Sequence, residues 1–263
     1  MRSKNTIKLI LPLLFIATML KGQSLEQLKY QGYLQRDHTK FQRAIKYIES
    51  SSNLSKTENV QELIHCYYLL TSELIAKKKV DDAESNIKKA EDLISDLLKK
   101  EPNNALALNY KGVFIGYEIA LNKSIAIIKG KSCTNYLDKA YQLDPNNPQI
   151  LFDKGNSLYY SPKLFGGNKK EALKYFQKAI LILEKQNKSH QNWIYLQLLV
   201  LEAHSYELLN NDSQAEKIYL KALKIEPNFP LVKNDLYPKL KARINGTSNE
   251  KAKEIDYSLD KKK

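Results

Sequence analysis

Between Leu25 and Pro230, small and large apolar residues return at helical spacing, and one phrase of that pattern repeats. Ala172, Phe176 and Ala179 set a small residue, a large apolar one four positions later, and a second small one three beyond. The same phrase stands at Ala215, Tyr219 and Ala222, at Cys133, Leu137 and Ala140, at Ala83, Ile87 and Ala90, and in degraded form at Ala44, Ile48 and Ser51. In the third and fifth copies a proline follows five positions after the second small residue. These are Pro145 and Pro227, inside the near-identical stretches LDPNNP and IEPNFP. Proline there ends a helix. Upstream of each copy lies another helical stretch, with Gly32 twelve residues before Ala44 and Ala203 twelve before Ala215. Each unit is therefore expected to be a helical hairpin.

The spacing has a physical reason. Two antiparallel helices approach closely only where small side chains meet, and the large residue between them fills the groove towards the next unit. This pattern resembles the tetratricopeptide repeat (TPR) family, whose helical pairs of about 34 residues carry small residues at the helix contacts and a closing proline. The last copy matches best, at Ala203, Tyr206, Ala215, Tyr219, Ala222 and Pro227, followed by Gly155 with Ala172, Phe176 and Ala179. The resemblance implies an all-α solenoid of degenerate helical hairpins over residues 23–244. Its units run over about 25–58, 64–101, 105–147, 148–186 and 196–229, with a C-terminal capping helix over 230–244. Gly32, Ala44, Ala83, Ala90, Gly112, Cys133 and Ala140 are the remaining expected packing positions.

Successive first small residues lie 39, 50, 39 and 43 positions apart, so every unit carries an insertion. In the second unit the outer helix is expected to run on from Asp81 to Lys100; in the third, Ala120 to Ser132 lengthens the hairpin; in the fourth, the extra residues are Ser161 to Asn168. That last segment reads SPKLFGGN, with Pro162 setting a turn and Gly166 and Gly167 open to positive φ or close backbone approach. A similar loop is found in proteins resembling the T component of tripartite (TRAP) transporters. Pro238 should kink or split the capping helix, and residues 245–263 read as a disordered polar tail.

Before the repeats, Arg2, Lys4 and Lys8 precede an apolar run from Leu9 to Leu20, after which the chain turns polar. Twelve helical residues rise about 18 Å, short of a hydrocarbon core of about 30 Å, so residues 1–22 read as a cleaved secretory signal peptide rather than a permanent membrane span. The mature chain is then expected in the periplasm. Removing residues 1–22 takes four basic residues and no acidic one, lowering the net charge from +13 to +9. The remaining lysines interleave with glutamates, as at Lys88, Lys89 and Glu91, which is the pattern of solvated helix faces and not of a nucleic-acid groove.

Catalytic constellations are missing from the sequence. Gly130, Lys131 and Ser132 mimic the end of a phosphate-binding loop, but Ile125 stands where that loop requires glycine. His38, His65, His190 and His204 form no ligand-spaced pair, and His65 beside Cys66 points to a different helix face. No enzyme activity, metal or cofactor is expected. Cys66 and Cys133 each sit in an apolar helical pattern, and read as buried free thiols with a disulfide as the alternative in an oxidising compartment.

In a stack of helical hairpins the first helix of each unit lines the concave groove. The family resemblance selects Tyr68 and Ser72, then Asn109, Val113 and Tyr117, Phe152, Asn156 and Tyr159, and finally Gln197, Val200, His204 and Glu207. Aromatic and amide side chains together suit a peptide backbone, with about half of these positions expected to be exposed and the others packed. The expected function is a non-catalytic scaffold that holds a protein or peptide in this groove. The alternative is a transport accessory of the T-component type, handling a small solute as a homo-oligomer through the Ser161–Asn168 loop.

Overall fold

The computed structural model describes residues 24–51, 54–248, 251, 252 and 255. The expected signal peptide and most of the expected tail lie outside the described residues. Among these, every regular element is helical. Ten helices form five antiparallel pairs: α1 (Leu25–Gln35) with α2 (His38–Ser51), α3 (Thr57–Ala76) with α4 (Val80–Lys100), α5 (Ala105–Leu121) with α6 (Ala126–Leu143), α7 (Pro148–Tyr160) with α8 (Lys169–Lys185), and α9 (Trp193–Leu208) with α10 (Asp212–Ile225). A π-helical turn over Val232–Leu236 runs directly into α11 (Tyr237–Ile244), which covers α10. Pro238 lies in the first turn of α11, where its missing amide hydrogen costs nothing, so the break falls before it. Among the described residues no helix is long and apolar enough to cross a membrane.

Asparagine starts many of these helices. Asn104, Asn147, Asn168, Asn192 and Asn211 each accept an amide hydrogen of the first turn, at 3.0 Å in the case of Asn104 and Ala107. Ser24 and Gln27 close a reciprocal capping box at the start of α1. The repeated PNN stretch thus both stops one helix and caps the next.

The small-large-small phrase does what its spacing demands. Ala44, Ala83, Ala90, Ala140, Ala172, Ala179, Ala203, Ala215 and Ala222 are fully buried, with Phe176 and Tyr219 equally enclosed between them. Gly32 lies against the Phe41 ring and Gly155 against the Phe176 ring. A Cβ at Gly155 would come within 2.4 Å of that ring. Gly112 receives Leu137, and the Cys133 thiol donates to its carbonyl at 3.2 Å. Pro227 departs from the expected packing role. It is exposed, and Phe229 two residues on is the buried anchor of that turn.

The insertions fall where the spacing put them. Helix α4 runs to Lys100; a 3-10 turn at Lys123–Ile125 and about one extra turn at the start of α6 lengthen the third hairpin; a second 3-10 turn at Lys163–Phe165 occupies the loop of the fourth. Cys66 and Cys133 are free thiols, the first buried and the second half-buried, and no disulfide joins them. In the segment expected to be a polar tail, Ile255 is half-buried against the main core.

The inner helices α1, α3, α5, α7 and α9 run parallel, so the turns inside each hairpin all emerge on one rim and the turns between hairpins on the other. The row then closes on itself. Tyr33 of α1 stacks on Trp193 of α9 at 5.9 Å between ring centroids and donates to Gln197 at 2.7 Å. Tyr30 of α1 donates to Glu226 at 2.8 Å. Helix α9 is accordingly buried on nearly every side, from Trp193 through Glu207. A helix with no continuous polar face belongs in a core.

Candidate functional site

The inner helices carry two groups of side chains of different character, an enclosed polar and aromatic interior and a less buried set towards the within-hairpin turns. Trp193, at the start of α9, organises the interior. Its indole lies 5.7 Å from the His65 ring, 6.1 Å from Tyr68 and 5.7 Å from Phe152, edge-on to the last. Tyr110 stacks on His65 from α5 at 6.2 Å. These contacts tie α9 to α3 and α7 on its inner face.

Behind the rings sits Asp153 of α7. Its carboxylate accepts from the Tyr68 hydroxyl at 3.0 Å, from the Asn109 amide at 2.6 Å and from the Gln149 amide at 2.7 Å. It is only 3% exposed, and no cation pairs with it among the described residues. Burial pushes its pKa up to about 6, while the three hydrogen bonds hold it from rising further. Burial also drives His65 well below the ordinary histidine range, so its ring is neutral. His65 Nε2, Asn109 Oδ1 and Gln149 Oε1 are buried without a hydrogen-bond partner.

Towards the other end of α9, the Tyr159 hydroxyl and His204 Nδ1 are hydrogen-bonded, and Lys169 both donates to the Tyr159 carbonyl and lies over its ring at 4.6 Å. Tyr219 donates to Glu207 at 2.6 Å, and Arg243 of α11 clamps Glu207 and Asp212 at 2.6 and 2.9 Å.

The twelve expected groove positions therefore divide. Tyr68, Asn109, Phe152, Tyr159, Gln197, Val200, His204 and Glu207 are buried, fewer being exposed than expected of an open groove. The reason is α9, which fills the concave side where an open stack would leave a channel, while α1 closes over it. Ser72 is exposed, and Val113, Tyr117 and Asn156 are half-buried. Ser72, Tyr117 and Asn156 sit on α3, α5 and α7 in the halves nearer the within-hairpin turns, and Val113 at the midpoint of α5. Tyr117 donates to the Tyr68 carbonyl at 3.4 Å, and Asn156 Oδ1 has no partner. Of the adjacent tyrosines, Tyr159 is core and Tyr160 is 42% exposed.

Sequence reasoning did not single out Trp193, Tyr110, Asp153 or Tyr33 for this interior. The signal that could have found it is the stretch WIYLQLLVLEAHSYEL, which has no continuous polar face.

Residues 196–229, spanning most of α9 and all of α10, match the family profile described as tetratricopeptide repeat. Among solved structures, the chain is similar to a thermophilic TPR protein of Thermus thermophilus, at 18% identity over 89% of this chain and 96% of that one, with a TM-score of 0.44. No curated protein sequence matches the chain.

Proposed function

We propose that the protein is a non-catalytic scaffold of the cell envelope, exported by residues 1–22, that holds a protein or peptide partner at the mouth of its concave side. The repeated hairpin is a protein-interaction architecture in the family that residues 196–229 match, and this supports the general reading. The observation that carries the site is the group Ser72, Val113, Tyr117 and Asn156 on three neighbouring inner helices, the first exposed and the others half-buried. An aromatic ring, an apolar side chain, a hydroxyl and an amide on rigid helices suit an extended backbone and cost little to order. The buried positions Tyr68, Asn109, Phe152, Tyr159, Gln197, Val200, His204 and Glu207 act in this reading by holding the inner helices in place. Arg2, Lys4 and Lys8 before a short apolar stretch support export.

The test is a photo-crosslinking amino acid at position 72, compared with position 88 on the outer helix α4, in cells expressing the full chain. Discrete protein adducts at 72, absent at 88 and lost on Tyr117→Ala, are expected. Equal adducts at both positions, or none at 72, would remove the proposed site. Mass spectrometry of the recovered chain tests export separately: a product beginning near Gln23 is expected, and an unprocessed chain retained in the cytoplasm would refute it.

A further inference from the structure

The most exposed large apolar side chains among the described residues are Leu164, at 88%, and Ile127 and Ile128, at 81% each. All three stand at the insertions that lengthen the third and fourth hairpins. Because the hairpins stack in parallel, both insertions emerge on one rim. Phe165 and Tyr160 are exposed there too, and Val80 and Leu209 are exposed at the flanking turns of the same rim.

The Leu164 turn is firmly built. The amides of Phe165 and Gly167 donate to the Pro162 carbonyl at 2.9 and 3.0 Å, and that of Asn168 to the Leu158 carbonyl at 2.9 Å. Gly166 has φ +87°, and a Cβ on Gly167 would lie 1.8 Å from the Ser161 carbonyl oxygen. Only glycines take this path. The loop is held in one shape while its two large apolar residues stay outside.

Lysine predominates around these tips, the nearest carboxylates, Glu118 and Glu171, being paired with Lys129 and Lys174. Residues 119–131 and 160–170 contain Lys123, Lys129, Lys131, Lys163, Lys169 and Lys170 and no carboxylate. Lys129 pairs with Glu118 at 2.7 Å, whereas Lys123, Lys131, Lys163 and Lys170 are exposed beside the apolar tips.

We propose that this rim docks on an anionic lipid bilayer, with Leu164, Phe165, Ile127 and Ile128 entering the interfacial layer and the lysines meeting acidic headgroups. A second copy of the chain would set lysine-rich tips against each other in a protein whose net charge is still +9 once residues 1–22 are removed. A folded protein would need two cavities at matched spacing for two separate convex tips, whereas a fluid bilayer receives both at once.

Leu164→Trp in the full chain supplies a reporter at the tip, since Trp193 is buried. Vesicles of phosphatidylcholine containing phosphatidylglycerol should shift its emission to the blue and allow quenching by brominated acyl chains, and phosphatidylcholine alone should not. In the same reporter chain, Ile127→Ser with Ile128→Ser, and separately Lys123→Glu with Lys163→Glu, should each weaken partitioning at least about tenfold. All four positions are exposed, so circular dichroism should be unchanged. The apolar N-terminal segment is common to every variant and cannot produce these differences. No shift on anionic vesicles, an equal shift on neutral ones, or partitioning indifferent to the substitutions would overturn the proposal. So would light scattering that shows the Ile127 and Ile128 substitutions dissolving a homo-oligomer, which would assign the tips to a second copy.

Discussion

Replacing Asp153 with asparagine should stabilise the protein at neutral pH and do so much less in acid. The carboxylate is buried with three neutral donors and no cation among the described residues, and its pKa rises from an ordinary 3.8 to about 6. A folded-state pKa above the unfolded one means that folding opposes the charged form. The cost is fully present above about pH 6 and vanishes below the unfolded pKa of 3.8. At about 1.4 kcal/mol for each unit, the opposition is about 3 kcal/mol at pH 7 and about 1 kcal/mol at pH 4.5. Asparagine keeps an acceptor for Tyr68, and its own amide hydrogens can turn to Asn109 Oδ1 or Gln149 Oε1, both unpartnered in the parent. Urea unfolding of parent and Asp153→Asn at both pH values isolates the effect, since every other titrating group cancels in the difference between the two proteins. The stability gap should shrink by about 2 kcal/mol from pH 7 to pH 4.5. A gap that stays constant across that range would show that Asp153 does not carry the burial cost assigned to it.

At Gly155, alanine would push against the rigid Phe176 ring, with its Cβ 2.4 Å from Cε1. Overpacking of this kind costs about 1–3 kcal/mol, and the better helix propensity of alanine returns about 1 kcal/mol. Thermal denaturation should therefore show Tm unchanged to a few degrees lower, with Phe176→Leu in the same chain costing less than it does in the parent; a Gly155→Ala protein more stable than the parent, or an undiminished cost of Phe176→Leu, would refute the close fit. Burial pushes the Cys66 thiol up to about 12 and that of Cys133 up to about 11. Ellman's reagent should accordingly leave both unreacted in the native chain at pH 8 and titrate two thiols once urea is added, and rapid labelling of either under native conditions would contradict its packing.

The hairpins themselves were legible because each is a local event: helical period, small residues at close contacts, proline to stop, asparagine to cap. Even the insertions could be located, since a break in spacing must fall in a turn or lengthen a helix. The closure of the row was not legible from the repeat phrase, which describes how a hairpin packs internally and says nothing about how its first and last members meet. Tyr33 and Trp193 are 160 positions apart and belong to no repeated phrase. The family pattern assigns residues such as Phe152 and His204 to a concave surface, and they do face inward. What the pattern omits is that α9 itself occupies the space they face, although the absence of a polar side along that helix was visible in the sequence.

That placement changes what kind of polymer the chain is. In an open array each unit touches only its neighbours, so its ends can fray and units can be trimmed or added with local consequences. Here the fifth hairpin supplies the surface against which the first, second and fourth lay their aromatic residues, and it is synthesised after all of them. A chain stopped before Trp193 is not four-fifths of the protein but a set of helical pairs with their sticky faces uncovered. Unfolding should therefore be a single cooperative event, and any cellular step that delays residues 193–244 delays the whole fold.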